Sequence, residues 1–203
     1  MASFAQQERS ALHGIAAPGR FGLSIGAPGL LIEERTDVAL ASVIARRGKR
    51  AALVSAVETT YGVVLPAGPR RATKDAFSFA GTGPEQWIAS AEGAEAAGFT
   101  ARLRARIGLF AAISDQSDAR LVLRLSGPQV RDVLAKGVPV DLHPKAFKVG
   151  DVATTLVAYM GVQIDMLDDA PTYQLTTPRS TAGSFWSWLA ASAAEFGYEI
   201  KTK

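Results

Sequence analysis

One passage restricts the possible folds more than any other. Leu121, Leu123 and Leu125 alternate with Val122, Arg124 and Ser126, the period of two expected of a strand. At Gly127-Pro128 the spacing changes. Val130, Val133 and Leu134 then form one helical face, opened by a proline whose missing N–H costs nothing in the first helical turn. A strand that runs straight into a helix lays that helix back over its own sheet. Further strands are then expected over Val152–Met160, Val162–Leu167 and Thr172–Thr177, with Asp168-Asp169-Ala170-Pro171 as a turn. Ser180 or Thr181 can cap a last helix in which Phe185, Trp188, Leu189, Ser192 and Phe196 share a face. Gly197 is placed to end it, and Tyr198–Thr202 reads as an edge strand. Strands in succession, without regular strand–helix alternation, predict an α+β fold.

The N-terminal half repeats this order. Phe77 and Phe79 alternate with Ser78 and Ala80, Gly81-Thr82-Gly83-Pro84 makes a loop, and Trp87 to Ala91 reads as the returning strand. Ala94 to Arg106 is expected to be helical, and Leu109 to Ser114 a strand. The recurrence predicts two related halves, each a ferredoxin-like split βαβ unit. Two helices are expected before the first strand pair. One starts at Thr36 or Asp37, shows Leu40, Val43 and Ile44, and ends at Gly48; the other runs from Arg50 to Tyr61 and ends at Gly62. Residues 1–35 are broken by Gly14, Pro18, Gly19, Gly22, Gly26, Pro28 and Gly29, yet carry Leu12, Ile15, Phe21, Leu23, Ile25, Leu30, Leu31 and Ile32. They read as an extended arm lying against the body or a partner. The expected organisation is an arm over 1–35, a first half over 36–114 and a second over 115–203.

Composition narrows the chemistry. The chain has no cysteine and two histidines, His13 and His143, which excludes disulfides, thiolate nucleophiles and cysteine-ligated clusters. A formal charge of +3 falls short of the basic footprint of a nucleic-acid binder. No apolar run approaches the ~18 residues of a membrane span. Met1 to Ser10 lacks an apolar signal core, so a cytoplasmic location is expected.

Individual motifs yield no catalytic, cofactor-binding or metal-binding residue. Gly22-Leu23-Ser24-Ile25-Gly26 matches G-x-S-x-G, but a nucleophile elbow needs a strand before Ser24 and a helix after it; Gly- and Pro-rich stretches flank it instead. Gly81-Thr82-Gly83 is followed by Pro84, which removes an amide a phosphate cradle would use. Asp141 and His143 read as turn residues, as do Asp168 and Asp169, and Asp165 as a strand-surface residue. Arg46-Arg47-Gly48-Lys49-Arg50 reads as a solvated helix end, then as a contact for an acidic partner, and third as a phosphate-backbone contact, which lacks the interleaved aromatics of a nucleic-acid surface. Arg70-Arg71 and Arg102/Arg104/Arg106 are further basic clusters. Trp186 and Trp188 are core or interface residues first.

Two resemblances add to this. Asp115-Gln116-Ser117, the strand Leu121–Leu125 and Gly127-Pro128-Gln129-Val130 resemble the folate-binding aminomethyltransferases (glycine-cleavage T-protein and relatives), without their Ser-His-Met continuation. That likeness implies a stand-alone folate-dependent one-carbon protein as an alternative, with Asp115 as its candidate residue. More of the chain is similar to the gamma subunit of heterotetrameric sarcosine oxidase. The residues concerned are Leu40 to Gly48, Leu65-Pro66, Gly83-Pro84-Glu85-Gln86-Trp87, Ser126 to Lys136, Pro139-Val140-Asp141-Leu142-His143-Pro144 with Phe147, and Ser184 to Leu189. This resemblance implies a complex that oxidatively demethylates sarcosine to glycine, reduces oxygen to hydrogen peroxide and passes the one-carbon unit to tetrahydrofolate. It implies NAD, FAD, FMN, tetrahydrofolate and zinc in sister subunits, and alpha, beta and delta partners, chiefly the large alpha subunit. For this chain it implies a T-protein-like module without catalytic residues, serving assembly.

Overall fold

The computed structural model describes residues 10–201. In chain order it contains β1 (Gly19–Phe21), β2 (Leu30–Glu34), β3 (Val38–Ala45), α1 (Arg50–Tyr61), β4 (Arg71–Lys74), β5 (Phe77–Gly83), β6 (Gln86–Glu92), α2 (Phe99–Ile107) and β7 (Ala111–Asp115). There follow β8 (Arg120–Ser126), α3 (Val130–Ala135), β9 (Val152–Val157), β10 (Met160–Asp168), β11 (Thr172–Pro178), α4 (Ala182–Ala193) and β12 (Tyr198–Ile200). The fold is α+β, built on two sheets. One has five strands in the order β4-β5-β6-β3-β7, the other seven in the order β1-β12-β2-β8-β11-β10-β9.

Alternation along each strand sorts its side chains into two layers. Odd positions of β3, β5 and β6 (Ala41, Val43, Phe79, Trp87, Ala89, Ala91) meet Leu53, Val57 and Tyr61 of α1 and Phe99, Leu103 and Ile107 of α2. On the larger sheet Leu121, Leu123, Leu125, Val162, Ile164, Tyr173 and Leu175 meet Val130, Val133 and Leu134 of α3 and Phe185 and Leu189 of α4. The opposite faces turn toward each other, where Val38, Leu40 and Val122 pack with Ile88. Each sheet is thus covered by helices outside and by the other sheet inside.

The element order strand, helix, three strands, helix, strand occurs twice, as β3 to β7 and as β8 to β12. Corresponding strands hold corresponding places in the sheets until the last. β7 lies beside β3, but β12 does not lie beside β8. β2 takes that place, antiparallel to β8 and parallel to β12, and β12 is displaced outward by one position.

This placement corrects the expectation of an arm over 1–35, of which residues 1–9 lie outside the described residues. Leu30 and Ile32 are buried core, and β2 is an inner strand. Composition shows that Gly14 to Gly29 cannot be a helix; it does not show that the next residues will find partners in β8 and β12. The preceding stretch is held mainly through its backbone. The Leu23 and Gly29 amides donate to the carbonyls of Ala194 and Phe196. Gly197, at φ +67°, comes so close to the Leu23 carbonyl that a Cβ would collide with it. Ile15, Phe21, Leu23 and Ile25 point outward and are exposed.

The expected helix from Thr36 to Gly48 is the strand β3. Leu40, Val43 and Ile44 suit a helical stripe, but β3 is covered on both faces. It therefore lacks the polar alternation that marks a half-exposed strand. No helix starts at Asp37; its carboxylate accepts two hydrogen bonds from Arg35 at 2.8 and 2.9 Å. The helix expected from Ala94 begins at Phe99, after a left-handed Gly98. The strand expected over Val152–Met160 is cut by a two-residue turn, Ala158-Tyr159, both at positive φ. Of the edge strand expected over Tyr198–Thr202, Thr202 lies outside the described residues, and Tyr198–Ile200 is not at the edge, because β1 covers its outer side.

Candidate functional site

The seam between the sheets holds the chain's buried charges. Arg71 on β4 and Asp165 on β10 pair at 2.8 Å, with only 7% and 1% of their side chains exposed. Gln163 donates its amide N–H to the other oxygen of Asp165 at 2.7 Å. Burial pushes the Asp165 carboxyl up, while Arg71 and Gln163 pull it back. Glu92, at the end of β6, gathers three guanidinium groups: Arg124 of β8 at 2.5 Å, Arg35 at 3.0 Å and Arg71 at 3.7 Å. The hydrogen bond to Asp37, working against burial, raises the Arg35 guanidinium further above its ordinary value. Ser78 and Ser90 share a hydrogen bond of 2.6 Å on the same face. Strands from both sheets therefore meet through charge-assisted bonds, which fix the relative placement of the halves more specifically than an apolar contact would.

Beyond these pairs the seam opens into a cleft of about 320 Å³. Its floor on the larger sheet is set by register. Thr154, Gln163 and Thr176 stand side by side on β9, β10 and β11. The next rung contains Gly161, and Pro178 opposite Arg120. The smaller sheet contributes Leu40, Ser42, Ile44, Gln86 and Ile88, with Gln116 at the β7–β8 connection.

The residues singled out in the sequence scatter. Ser24 lies in the exposed connection between β1 and β2; the short β1 precedes it, but another strand follows where an elbow needs a helix. Asp141 accepts the His143 amide at 2.9 Å, and His143 Nδ1 accepts the Lys145 amide at 3.2 Å, so the two shape one turn. Asp168 accepts the Ala170 amide at 2.9 Å. Asp115 accepts both the amide and the hydroxyl of Ser117, at 3.0 and 2.8 Å. Burial would raise its carboxyl, but these bonds outweigh it and hold the group below its ordinary value. Ser117 Oγ in turn accepts the Leu40 amide at 3.1 Å, tying this segment to β3.

Two expectations change. Asp165 is an inner ion-pair partner rather than a strand-surface residue; the apolar Ile164 and Met166 beside it were the available signal. Arg46 to Arg50 precede and open α1 instead of closing a helix. Arg70 and Arg71 are tied to Asp151 and Asp165 across the seam. Nothing local in Arg70-Arg71 marks them as inter-sheet ligands, since their partners are remote in sequence. Among the described residues no three of His, Cys, Asp and Glu converge to hold a metal, and no helix is long and apolar enough to cross a membrane.

Comparison with known proteins identifies the architecture. Residues 47–195 match the model of the sarcosine oxidase, gamma subunit family. The chain is 35% identical over 154 residues to the sarcosine oxidase subunit gamma of Corynebacterium sp. (strain P-1), covering 75% of this chain and 73% of that protein. It is 32% identical over 156 residues to the subunit gamma of an Arthrobacter species, covering 73% and 75%. A chain of the heterotetrameric sarcosine oxidase of Corynebacterium sp. U-96, solved with pyrrole 2-carboxylate, superposes with a TM-score of 0.78 at 25% identity, over 93% of this chain and 96% of that one. Aminomethyltransferase T of the Bartonella henselae glycine cleavage system shares the fold, with a TM-score of 0.64 at 14% identity over 93% of this chain and 57% of that one. This chain belongs to the sarcosine oxidase gamma subunit family.

Proposed function

We propose that the chain is the gamma subunit of a heterotetrameric sarcosine oxidase, where it shapes and stabilises the assembly while sister subunits carry the chemistry. The observation that carries this reading is the superposition on a chain of such a heterotetramer over nearly the full length of both. The outward-facing Ile15, Phe21, Leu23 and Ile25, with Leu109 at 83% exposure, support it, because apolar side chains held in water by a clamped backbone favour burial against another chain. Each half is read as a split βαβ unit, from the repeated element order and the antiparallel placing of β5, β6, β3 and β7.

On this reading NAD, FAD, FMN, tetrahydrofolate and zinc belong to sister subunits. Two features of the described residues support placing them there. Gly81 presses against the Gly68 carbonyl and forms no phosphate cradle, and among the described residues no metal set converges. The alpha subunit is the chief partner, with beta and delta completing a cytoplasmic complex that oxidises sarcosine to glycine.

The test is co-expression of this chain, tagged, with the products of its neighbouring genes, followed by affinity capture, an absorption spectrum and a peroxide assay. A yellow complex that turns over sarcosine is expected, with its yield falling when this chain is left out. A stable monomer without affinity for those products would overturn the proposal. Calorimetric titration with tetrahydrofolate separates the stand-alone one-carbon alternative, which requires binding by the isolated chain.

A further inference from the structure

The cleft between the sheets is more specific than a gap between two surfaces. Its one charged lining residue is Arg120, and no carboxylate lines it. Every carboxylate in the seam is already engaged elsewhere, Asp165 by Arg71 and Glu92 by Arg35 and Arg124. Arg120 makes no salt bridge or side-chain hydrogen bond with any described residue, and the side chains of Ser42, Gln116, Thr154 and Thr176 likewise make none. Thr176 lines the cleft, and although the residue as a whole is 6% exposed, its hydroxyl stays open to the cleft without a protein partner. Polar groups left open to a cleft in this way can bond a bound molecule with no protein bond to break first.

The chemistry of a fitting ligand follows from the groups presented. A lone guanidinium among neutral donors suits a carboxylate, which it can bind with two parallel hydrogen bonds. Gln163 has given its N–H to Asp165, so its amide oxygen is left to accept from a ligand N–H. Thr154 and Thr176 flank it and can donate or accept. Leu40 and Ile88 supply an apolar wall. Gly161, next to this row, points into open space, since a Cβ there would meet nothing within 4 Å. The volume lies at the lower end for small-molecule sites.

We infer that this cleft binds a small carboxylate bearing an amide N–H, its carboxylate on Arg120 and its amide along the Thr154–Gln163–Thr176 row. The inference stands on this chain's own groups and does not need the assembly proposed above.

The test uses N-trifluoroacetylglycine, followed by ¹⁹F NMR line broadening, against the complex containing this chain, or against the full chain as purified should no complex form. Three forms are compared: unchanged, Arg120→Gln and Gly161→Leu. Gly161 does not have a positive φ, so the leucine is free of backbone strain and fills the cleft; a thermal melt of each form checks folding. Broadening by the unchanged protein is expected. Arg120→Gln should weaken binding about tenfold or more, as expected for loss of a charge-assisted pair. Gly161→Leu should abolish it, and N-trifluoroacetylsarcosine, which lacks the N–H, should bind several-fold more weakly. No broadening at millimolar probe, or broadening that survives Gly161→Leu, overturns the site. Broadening lost with Gly161→Leu but kept with Arg120→Gln overturns the assignment of the carboxylate.

Discussion

Arg71→Met tests whether the two halves depend on their buried ion pair. The change keeps an unbranched, flexible stem but loses the guanidinium and its charge, leaving Asp165 with 1% of its side chain exposed and only Gln163 as a donor. Removing one member of a buried pair typically costs about 3–5 kcal/mol, mostly because the other is left uncompensated. For a chain of 203 residues, each kcal/mol lowers the melting temperature by about 2–4 °C, so a fall of roughly 6–20 °C is expected near neutral pH. The pH dependence gives a sharper sign. Burial already holds the Asp165 carboxyl above its ordinary 3.8, so the folded state binds this proton more tightly than the unfolded state does. The stability this contributes is complete below the ordinary carboxylate value and is lost as pH rises through the folded one. Without Arg71 the folded value rises further, so the penalty should be largest at neutral pH and shrink on acidification. The assay is urea unfolding of both forms across that range, read by tryptophan fluorescence. The double variant Arg71→Met/Asp165→Leu should recover much of the loss, since an apolar pair is a fair replacement for a buried ionic one. A cost under about 1 kcal/mol for the single variant, or one that does not change with pH, would refute the reasoning.

Two further outcomes are expected from the same unfolding assay. Ser78→Ala or Ser90→Ala alone should cost about 1–3 kcal/mol by orphaning a buried hydroxyl, whereas the double variant should cost less than the sum of the two; simple additivity would count against the shared hydrogen bond at 2.6 Å. Gly197→Ala should cost about 1–3 kcal/mol, because its positive φ disfavours a side chain and the new Cβ would displace the Leu23 carbonyl; an unchanged midpoint would show that the N-terminal segment is not held there.

Much of the local structure was legible in the sequence, and the reason is visible element by element. α1 runs from Arg50 to Tyr61 as its four-residue spacing of Leu53, Val57 and Tyr61 requires, because one face is buried and the other wet. β8 and α3 follow the change of period at Gly127-Pro128 for the same reason. β3 was misread as a helix because burial on both faces erased the alternation from which strands are recognised. The family, too, was readable, from short motifs spread across the chain.

The polar seam and the place of β2 were not legible. Arg71 and Asp165 carry no local mark of their pairing, and the cleft's row of Thr154, Gln163 and Thr176 exists only once β9, β10 and β11 are in register. The sequence by itself determined which segments could be strands or helices, and which of their faces avoid water, since these depend on neighbours a few residues apart. Tertiary structure alone decided that Leu30–Glu34 would enter between β8 and β12, and that the polar faces of the two sheets would meet, because those bonds join residues far apart in the chain whose encounter no local preference encodes.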